Sequence, residues 1–464
     1  MQDSTVKANP TLAHRFKQEA KATLKLGYPL ILANLLQMSM AFVDTVMAGN
    51  LSTTDLAAVA VGSSILTPAF VFGAGILMAV TPIVSQNFGR RTLDKIGRCV
   101  RQALWLSLIL SVPTILFLRN AYPILVLMQI DPDVANLAQG YLKAAAWGIP
   151  GFFFYLALKH FNEAVSVTRP AMYFALIGLF FNIFWNYTLM FGKFGFPALG
   201  AIGTGWATMI VMWVMFICIF IFTLRFKPFK RFQIFSEIRR PDFGYMKDLL
   251  KLGLPIGVTF TMEVSLFAIV TLFMGLIGTV AVGAHQIALN LASVTFMVAL
   301  GLSSAVTVRV GQNLGKGSLT NARFSGYTGI ILAVGLMCCT AFMFFTIPEL
   351  LVSMYTADPD LVELAVQLLL LAAVFQISDG LQVSGAAALR GLKDTRFPMI
   401  VNFVAYWLIG LTSGYFLGIY FGWGPKGLWI GLIAGLTAAA ILHNIRFWYL
   451  SHNKTIEELM EKTS

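Results

Sequence analysis

Three acidic side chains fall inside long apolar stretches of this sequence. Glu263 is the only charged residue in the 24-residue stretch 252–275 and lies near its midpoint, and Asp379 and Asp44 lie in two other such stretches. A helix over 252–275 would place Glu263 roughly 16 Å from either end, in the middle of a bilayer's hydrocarbon core. A carboxylate there must be protonated, paired or bound to a cation, so we predict a cation or proton site. The alternative is a carboxylate satisfied by neighbouring helices inside a bundle.

Asp44 has candidate polar partners later in the chain. Asn182 and Asn186 are four residues apart, so a helix would place both amides on one face. Thr204 and Thr208 are weaker candidates. These residues could coordinate a cation or a proton together with Asp44. Alternatively, Asp44 is a water-accessible structural residue, and the asparagines only hydrogen-bond to a neighbouring helix.

Glu263 and Asp379 form a second candidate set. Gln376 and Ser378 lie close to Asp379 in sequence. Carboxylate, amide and hydroxyl oxygens suit a hard cation such as Na⁺, or a proton. His285 is either a proton relay or a histidine at the membrane interface. The sequence contains no Cys/His cluster, which argues against a transition-metal site.

The sequence offers no pattern for nucleotide hydrolysis or enzymatic catalysis. Residues 311–318 resemble a phosphate loop, but three residues instead of four separate the glycines, and no strand precedes them. No set of nucleophile, base and orienting group is recognisable. We therefore predict a protein that is not an enzyme, needs no cofactor and relies on an ion gradient for any pumping.

The composition indicates that membrane-spanning helices position the acids. Of 464 residues, 58% are apolar and 12% are charged, against about 25% charged in soluble domains. Alternation typical of a transmembrane barrel is not seen. The net charge is +12, and the basic residues that produce it lie between the apolar stretches. Their positions therefore indicate membrane topology and not nucleic-acid binding. Twelve spans of about 20 residues or more are predicted, at 26–48, 57–85, 98–118, 137–158, 171–191, 200–224, 252–275, 280–308, 325–348, 361–388, 398–420 and 427–445.

The basic residues predict the orientation. Of 33 Lys and Arg residues, 29 fall in the segments of one side and three in the loops of the other, so both termini are predicted to be cytoplasmic. Lys143, near the outer end of a span, is expected to snorkel. Glu163 follows Lys159 by four residues, which favours a local ion pair. The four cysteines lie in or beside spans, so no disulfide is predicted, and no cleavable signal peptide is recognised.

The two halves of the chain are repeats. Residues 24–89 align with residues 250–315 without a gap, at an offset of 226. Each half contains an even number of spans, which predicts a parallel repeat with a pseudo-two-fold axis along the membrane normal. The predicted divisions are a cytoplasmic N-terminal segment (1–25), an N-terminal six-helix lobe (26–224), a basic cytoplasmic linker (225–251), a C-terminal six-helix lobe (252–448) and a cytoplasmic tail (449–464).

The repeat does not relate the three acids to one another. Each occupies a position that is uncharged in the other half, so we expect a different site in each lobe. Glu263 corresponds to Gln37, Asp44 to Val270 and Asp379 to Phe152.

Several segments resemble the NorM branch of the multidrug and toxic compound extrusion family. They are 42–49 (FVDTVMAG), the Glu263 stretch with 284–286 (AHQ), and 376–395, which begins QISD and ends LRGLKDT. The resemblance covers about residues 24–448. It implies a bacterial inner-membrane exporter that exchanges Na⁺, or H⁺ in some members, for cationic amphipathic drugs such as fluoroquinolones and dyes. We expect a monomer in the lipid bilayer.

The resemblance also implies roles for single residues, although it identifies no drug contacts. Phe375 departs from the family pattern, because relatives often carry a tyrosine there that contributes to the cation site. Glu263 and Asp379 match the cation-coupling acids of the C-terminal lobe, with Na⁺ as a candidate ligand, and Asp44, Asn182, Asn186 and Thr204 match the polar site of the N-terminal lobe.

Two other functions remain open at the level of sequence. A lipid-linked oligosaccharide flippase of the same wider superfamily would share the repeat, but it would need basic residues within the spans, where Lys143 alone is predicted. A membrane scaffold or receptor that transports nothing would have no need for acids at mid-membrane depth.

Overall fold

The computed structural model describes residues 11–235 and 240–461, and within these ranges it contains helices and no strand. The predicted basic positions Lys7, Arg239 and Lys462 lie outside the described residues. The first half contains α1 (Leu12–Gly49), α2 (Thr53–Leu77), α3 (Val80–Arg90), α4 (Leu93–Arg119), α5 (Tyr122–Leu127), α6 (Pro132–Ala146), α7 (Ile149–Ala164), α8 (Arg169–Phe191), α9 (Ala201–Arg225) and a 3₁₀ helix (Lys227–Phe232). The second half contains α10 (Phe243–Ile277), α11 (Thr279–Gly315), α12 (Leu319–Thr346), α13 (Pro348–Ser353), α14 (Pro359–Gly391), α15 (Arg396–Asn402), α16 (Thr412–Tyr415), α17 (Pro425–Asn453) and α18 (Ile456–Glu461).

The described helices confirm an all-α, multi-pass membrane protein. Eleven helical segments in these ranges are long and apolar enough to cross a membrane, and the bent pair α6–α7 makes a twelfth. Two of the eleven are composite: α2 continues into α3, and α15 continues through two π-helical segments, Phe403–Leu411 and Phe416–Tyr420, which flank α16.

Many helices extend beyond the predicted spans on one side of the molecule. There α1 begins at Leu12 and not at residue 26. Thr11 caps this helix by accepting a hydrogen bond from the His14 backbone N–H. At the same side α17 continues to Asn453. Hydropathy detects only the part of a helix that lies in hydrocarbon, whereas the backbone remains helical for several turns beyond it. We call this side, where α1 begins and α17 ends, the basic side.

The fourth predicted span, 137–158, is bent and not straight. Helices α6 and α7 meet at 48°. Pro150, the second residue of α7, has no backbone N–H to donate and therefore favours a break here. The Trp147 carbonyl lies at this break and accepts a hydrogen bond from the Trp213 indole at 2.9 Å. This acceptor therefore remains paired.

Backbone conformation repeats between the halves. Arg91 (φ 64°) and Gly317 (φ 78°) adopt the same left-handed conformation 226 positions apart, each in the connection before a helix. Ser166 (φ 67°) and Lys393 (φ 61°) form a second pair. Non-glycine residues rarely adopt positive φ, so these coincidences agree with the repeat predicted from sequence.

The lobes contact each other through symmetry-related backbone positions. Helix α1 packs on α11, while α10 packs on α2, and α3 also packs on α11. A Cβ atom added to Gly89 would lie 2.2 Å from the carbonyl oxygen of Gln312. A Cβ atom added to Gly315 would lie 2.1 Å from that of Gln86. Glycine is therefore required at both crossings, because only its lack of a side chain allows this approach.

Hydrogen bonds follow the same symmetry. Gln86 Nε2 donates to the Gly391 carbonyl at 3.0 Å, and Gln312 Nε2 donates to the Ala164 carbonyl at 2.8 Å. All four groups lie at the ends of helices on the basic side. Each bond satisfies a carbonyl in the last turn of a helix, where intrahelical donors run out.

One ion pair between the lobes breaks the symmetry. Arg309 of α11 donates to Glu19 of α1 through Nε at 2.8 Å and Nη2 at 2.6 Å, and Ser325 of α12 donates to the same carboxylate at 2.7 Å. We call these three residues the Glu19 latch. The latch is mostly buried, and its paired, planar geometry is the strong form of a charged hydrogen bond.

We expect Gly315→Ala to destabilise the purified protein by about 1–3 kcal/mol, because the added methyl group overlaps the backbone of α3. Gly335→Ala in α12 is the matched control, since a Cβ atom there meets nothing within 4 Å. The control should raise stability by up to about 1 kcal/mol through helix propensity. Thermal unfolding in detergent measures both effects. A Gly315→Ala protein as stable as its Gly335→Ala counterpart would contradict the described helix crossing.

Candidate functional site

The N-terminal lobe brings Asp44 together with the two predicted asparagines. Asn182 Nδ2 and Asn186 Nδ2 donate to Asp44 Oδ1 at 2.9 and 2.6 Å. Both asparagines are buried on α8, which packs along α1, and Asp44 is partly buried. Two amide donors on one carboxylate oxygen favour the charged form and leave Oδ2 able to receive a proton or a cation.

Further unpaired oxygens lie in the same lobe. The Oδ1 atoms of Asn182 and Asn186 are buried and have no hydrogen-bond partner. The same is true of the hydroxyl of Thr204 on α9. Thr204 is fully buried, and its hydroxyl makes no hydrogen bond. It is therefore not part of the hydrogen-bonded set around Asp44. Its predicted part in this site therefore stays a prediction.

The C-terminal lobe brings Glu263 and Asp379 within electrostatic range of each other. Glu263 lies on α10 and is partly buried, while Asp379 lies on α14 and is only 3% exposed. Two carboxylates within electrostatic range repel each other when both are charged. The arrangement therefore favours a bound proton or a bound cation between them.

Two side chains at this site were missed by sequence reasoning. Arg390 is 6% exposed and interacts electrostatically with Glu263. Tyr406 is fully buried, interacts with Glu263 and Asp379, and has a hydroxyl without a hydrogen-bond partner.

Hydropathy ended the predicted span before Arg390, whereas α14 continues to Gly391 and carries Arg390, which is buried, in its last turn. Its predicted place on the cytoplasmic side stays a prediction. The sequence contains one feature that could have indicated Tyr406 as a site residue: its side chain carries a hydroxyl group within the apolar stretch 398–420. Its π-helical segment was not predictable from periodicity.

The polar neighbours predicted for Asp379 have other partners. Gln376 donates its amide to Thr295 of α11, and Ser378 hydrogen-bonds Thr437 of α17 at 2.8 Å. These bonds join α14 to the helices on either side of it. The Gln376 Oε1 atom remains buried and unpaired, so an amide oxygen is still available near Asp379.

His285 lies in the protein interior, near the beginning of α11. Its ring is fully buried, hydrogen-bonds Thr271 at 3.1 Å and packs edge-on against Trp429. Phe375 lies in the same apolar cluster, with its ring 6.2 Å from Phe267 and 5.8 Å from Trp429. A phenylalanine is therefore accommodated where relatives are expected to carry a tyrosine.

Glu163 makes the predicted local ion pair, with Lys159 Nζ 3.6 Å from Oε1. His160 Nδ1 lies 3.2 Å from Oε2, which completes a buried three-residue network on α7. Lys159 and Arg390 are thus buried basic residues near the basic-side ends of α7 and α14. The prediction that Lys143 alone lies within the spans stays a prediction. Within the described ranges, no group of three or more His, Cys, Asp or Glu residues could hold a metal ion.

Comparisons with known proteins agree with the repeat. The sequence model of the MatE family matches two stretches, 29–188 and 255–416, which begin 226 positions apart and together cover most of the chain. This chain belongs to the MatE family. The resemblance predicted from sequence is confirmed, and the family is one of transporters and not of enzymes.

Characterised MATE relatives match over nearly the full length. "Multidrug resistance protein MdtK" of Pectobacterium atrosepticum is 45% identical over 94% of this chain and 96% of that protein. The protein of the same name from Yersinia enterocolitica is 44% identical over 93% of this chain and 96% of its own length.

The fold also matches a solved MATE structure. The crystal structure of the eukaryotic MATE transporter AtDTX14 superposes with a TM-score of 0.88 at 20% identity, over 97% of this chain and 98% of that chain. MATE structures have a two-lobe repeat, so this match supports the predicted arrangement of two lobes.

The interaction between Arg390 and Glu263 can be measured by a double-mutant cycle. We expect Arg390→Met to be about 0.5–3 kcal/mol more destabilising in the presence of Glu263 than in a Glu263→Gln background. The reason is that the positive guanidinium attracts the Glu263 carboxylate through space, and the substitution removes this attraction. Lys426→Gln, an exposed position at the other end of the lobe, is the control and should show no coupling. Additive effects of Arg390→Met and Glu263→Gln on thermal unfolding would contradict the interaction.

Proposed function

We propose that this protein is a secondary active multidrug exporter. It exchanges Na⁺, or H⁺, for cationic amphipathic drugs such as fluoroquinolones and dyes by alternating access of its two lobes. The observation that supports the proposal is that Glu263 and Asp379 lie in spanning helices and within electrostatic range of each other. Family membership and the names of the MdtK relatives support multidrug transport.

The coupling mechanism is competition for the carboxylates. Burial favours a neutral carboxyl group, whereas a nearby cation favours a charged one. Glu263 and Asp379 hold the incoming ion in one state and lose it in another, and both interact electrostatically with the Tyr406 side chain, while Glu263 also interacts with the more distant Arg390. Moving one charge inward through 100 mV yields about 2.3 kcal/mol, enough to bias the cycle in one direction. Asp44, Asn182, Asn186 and Thr204 form the second, N-terminal cation or proton site.

We place the protein in a bacterial inner membrane as a monomer, with both termini and the basic side in the cytoplasm. The glycine crossings, the glutamine bonds and the Glu19 latch join the lobes in the half nearer this side. Asp44 and Glu263 lie further along α1 and α10, towards the opposite side. This state is therefore closed to the cytoplasm and corresponds to the one that releases drug outside.

A lipid-linked oligosaccharide flippase is less well supported. Such a carrier needs basic residues in its spans that are free to hold phosphate. Of the basic residues in spanning helices, Lys159 pairs with Glu163, and Arg390 is only 6% exposed, although its Nε and Nη2 atoms have no hydrogen-bond partner. Lys143 is exposed in the last turn of α6, beside the break before α7.

We expect Glu263→Gln and Asp379→Asn each to reduce ion-driven ethidium efflux from proteoliposomes by about tenfold or more, because neither amide can exchange a proton or neutralise a cation. Glu363→Gln is the matched control on the same helix as Asp379, since Glu363 is exposed near the other end of α14. The control should transport like the wild type. Unchanged efflux in both site variants would exclude these acids as the coupling site.

The same vesicles identify the ion. An imposed Na⁺ gradient at equal pH and an imposed pH gradient without Na⁺ are compared for the wild type. Efflux driven by the pH gradient alone, and indifferent to Na⁺, would replace Na⁺ with H⁺ as the coupling ion.

A further inference from the structure

A cavity of about 490 Å³ lies in the N-terminal lobe, on the side opposite the basic side. Helix α4 begins at the basic side, directly after α3, and its 27 residues carry Arg119 to the opposite side. The end of α4, the start of α5 and one face of α6 form the wall of the cavity. The described residues that line it all belong to the first half of the chain, and none belongs to an ion site described above. The cavity is therefore separate from the contact between the lobes.

Two cationic residues, Arg119 and Lys143, line this cavity, and none of its described lining residues is acidic. The Arg119 guanidinium lies over the Trp147 indole, 5.2 Å from the ring centroid. Lys143 precedes Trp147, the C-cap residue of α6, by four positions and therefore leaves the same face of the helix. Neither cation forms an ion pair within the described ranges. Like charges that share a cavity repel each other, and a bound anion would attract both.

Gln139 of α6 fixes the end of α4 in this position. Its Nε2 atom donates to the carbonyls of Leu118 at 3.3 Å and Arg119 at 2.9 Å, in the last turn of α4, where intrahelical donors run out. The Gln139 side chain is buried. Asn120 closes the same turn by donating to the Leu116 carbonyl at 2.8 Å. The backbone of Arg119 is thus held beside α6 before any ligand arrives, which lowers the entropic cost of binding.

The surface beside the cavity is apolar and exposed. The last turn of α4 exposes Leu116 and Phe117, and α5 ends at Leu127, which is 84% exposed. In a protein with this many spanning helices, such side chains are covered by the acyl chains of lipids. Trp147 and Tyr122 are also exposed here, and these residue types are enriched at the level of the lipid headgroups. The cavity therefore lies where a headgroup can enter it while the acyl chains remain outside.

The repeat shows that the shared scaffold does not require these two charges. Helices α5 and α13 begin 226 positions apart, and α6 and α14 begin 227 positions apart. At these offsets Arg119 corresponds to Phe345, and Lys143 corresponds to Leu370. Both positions are thus apolar in the C-terminal lobe, although the same helices surround them. The pair of cations is specific to the N-terminal lobe, which indicates a local role.

We propose that this cavity binds the headgroup of an acidic phospholipid, with the phosphate between Arg119 and Lys143. The phosphate oxygens accept charge-assisted hydrogen bonds from both side chains. Asn136, which lines the cavity two turns before Lys143 on α6, can pair with the hydroxyl groups of a glycerol headgroup. The acyl chains then cover Leu116 and Phe117.

The bound lipid joins α4 to α6 at the perimeter of one lobe, so it is not a transported substrate. The site needs no transport activity. A failure of this proposal would therefore leave the proposed exporter function intact.

The test uses the full chain in a neutral detergent and counts bound lipid molecules by native mass spectrometry. The probes are dioctanoyl phosphatidylglycerol, dioctanoyl phosphatidylcholine and glycerol 3-phosphate, each titrated separately. We expect phosphatidylglycerol to bind more tightly than the other two, because only it combines a net negative headgroup with acyl chains. Equal binding of phosphatidylcholine would overturn the proposal. Equal binding of glycerol 3-phosphate would identify a soluble phosphate compound as the ligand and would overturn the assignment to a lipid.

Arg119→Gln/Lys143→Gln should weaken the binding of phosphatidylglycerol roughly tenfold or more, because it removes two charged donors. Lys193→Gln/Lys426→Gln is the matched control, since it removes the same charge from exposed residues that do not line the cavity. The control should bind within about twofold of the wild type.

A third variant, Arg119→Lys/Lys143→Arg, exchanges the two cations and should retain most of the binding. Thermal unfolding without added lipid confirms that each variant is folded. Equal weakening in the two glutamine variants would show that the lipid responds only to overall charge, and it would overturn the proposed site.

Discussion

Direct backbone contact between the lobes is the constraint on which this structure depends. Gly89 and Gly315 bring α3 and α11 so close that a single methyl group would collide with a carbonyl. Lipid offers no hydrophobic drive for helix association, so close packing and hydrogen bonds must hold spanning helices together. The glutamines at 86 and 312 add a hydrogen bond beside each crossing. At these crossings the lobes thus meet through uncharged groups, and the Glu19 latch adds one ion pair beside them.

The charges are distributed without regard to the symmetry of the scaffold. Glu163 and Arg390 occupy equivalent positions in the two halves, yet one is an acid with basic neighbours on its own helix, and the other is a base facing an acid on α10. Asp44 and Glu263 likewise correspond, in the other half of the repeat, to the uncharged residues Val270 and Gln37. The backbone is constrained by packing over its whole length, whereas a single charge needs only a local partner. Each lobe can therefore acquire its own electrostatics without a change of fold.

The sequence was a good guide to whatever depends on one helix or on the repeat. The span count, the pairing of Lys159 with Glu163, and the shared face of Asn182 and Asn186 all follow from periodicity within a helix, and the structure reproduces them. It was a poor guide to what depends on depth and on contacts between distant helices. Hydropathy ended α14 before Arg390, and no local pattern indicated the burial of His285 or Tyr406. These outcomes were fixed by packing between helices far apart in sequence.

The Glu19 latch also constrains the order in which the protein can be assembled. Glu19 emerges from the ribosome before Arg309, which follows 290 residues later. At about 5–20 residues per second, the carboxylate waits on the order of 15–60 s for its partner. During that interval Glu19 must remain at the membrane surface, where water can solvate it, because an unpaired charge is excluded from hydrocarbon. Closure of the basic side is therefore a late step of biogenesis, and the N-terminal lobe has to be inserted without it.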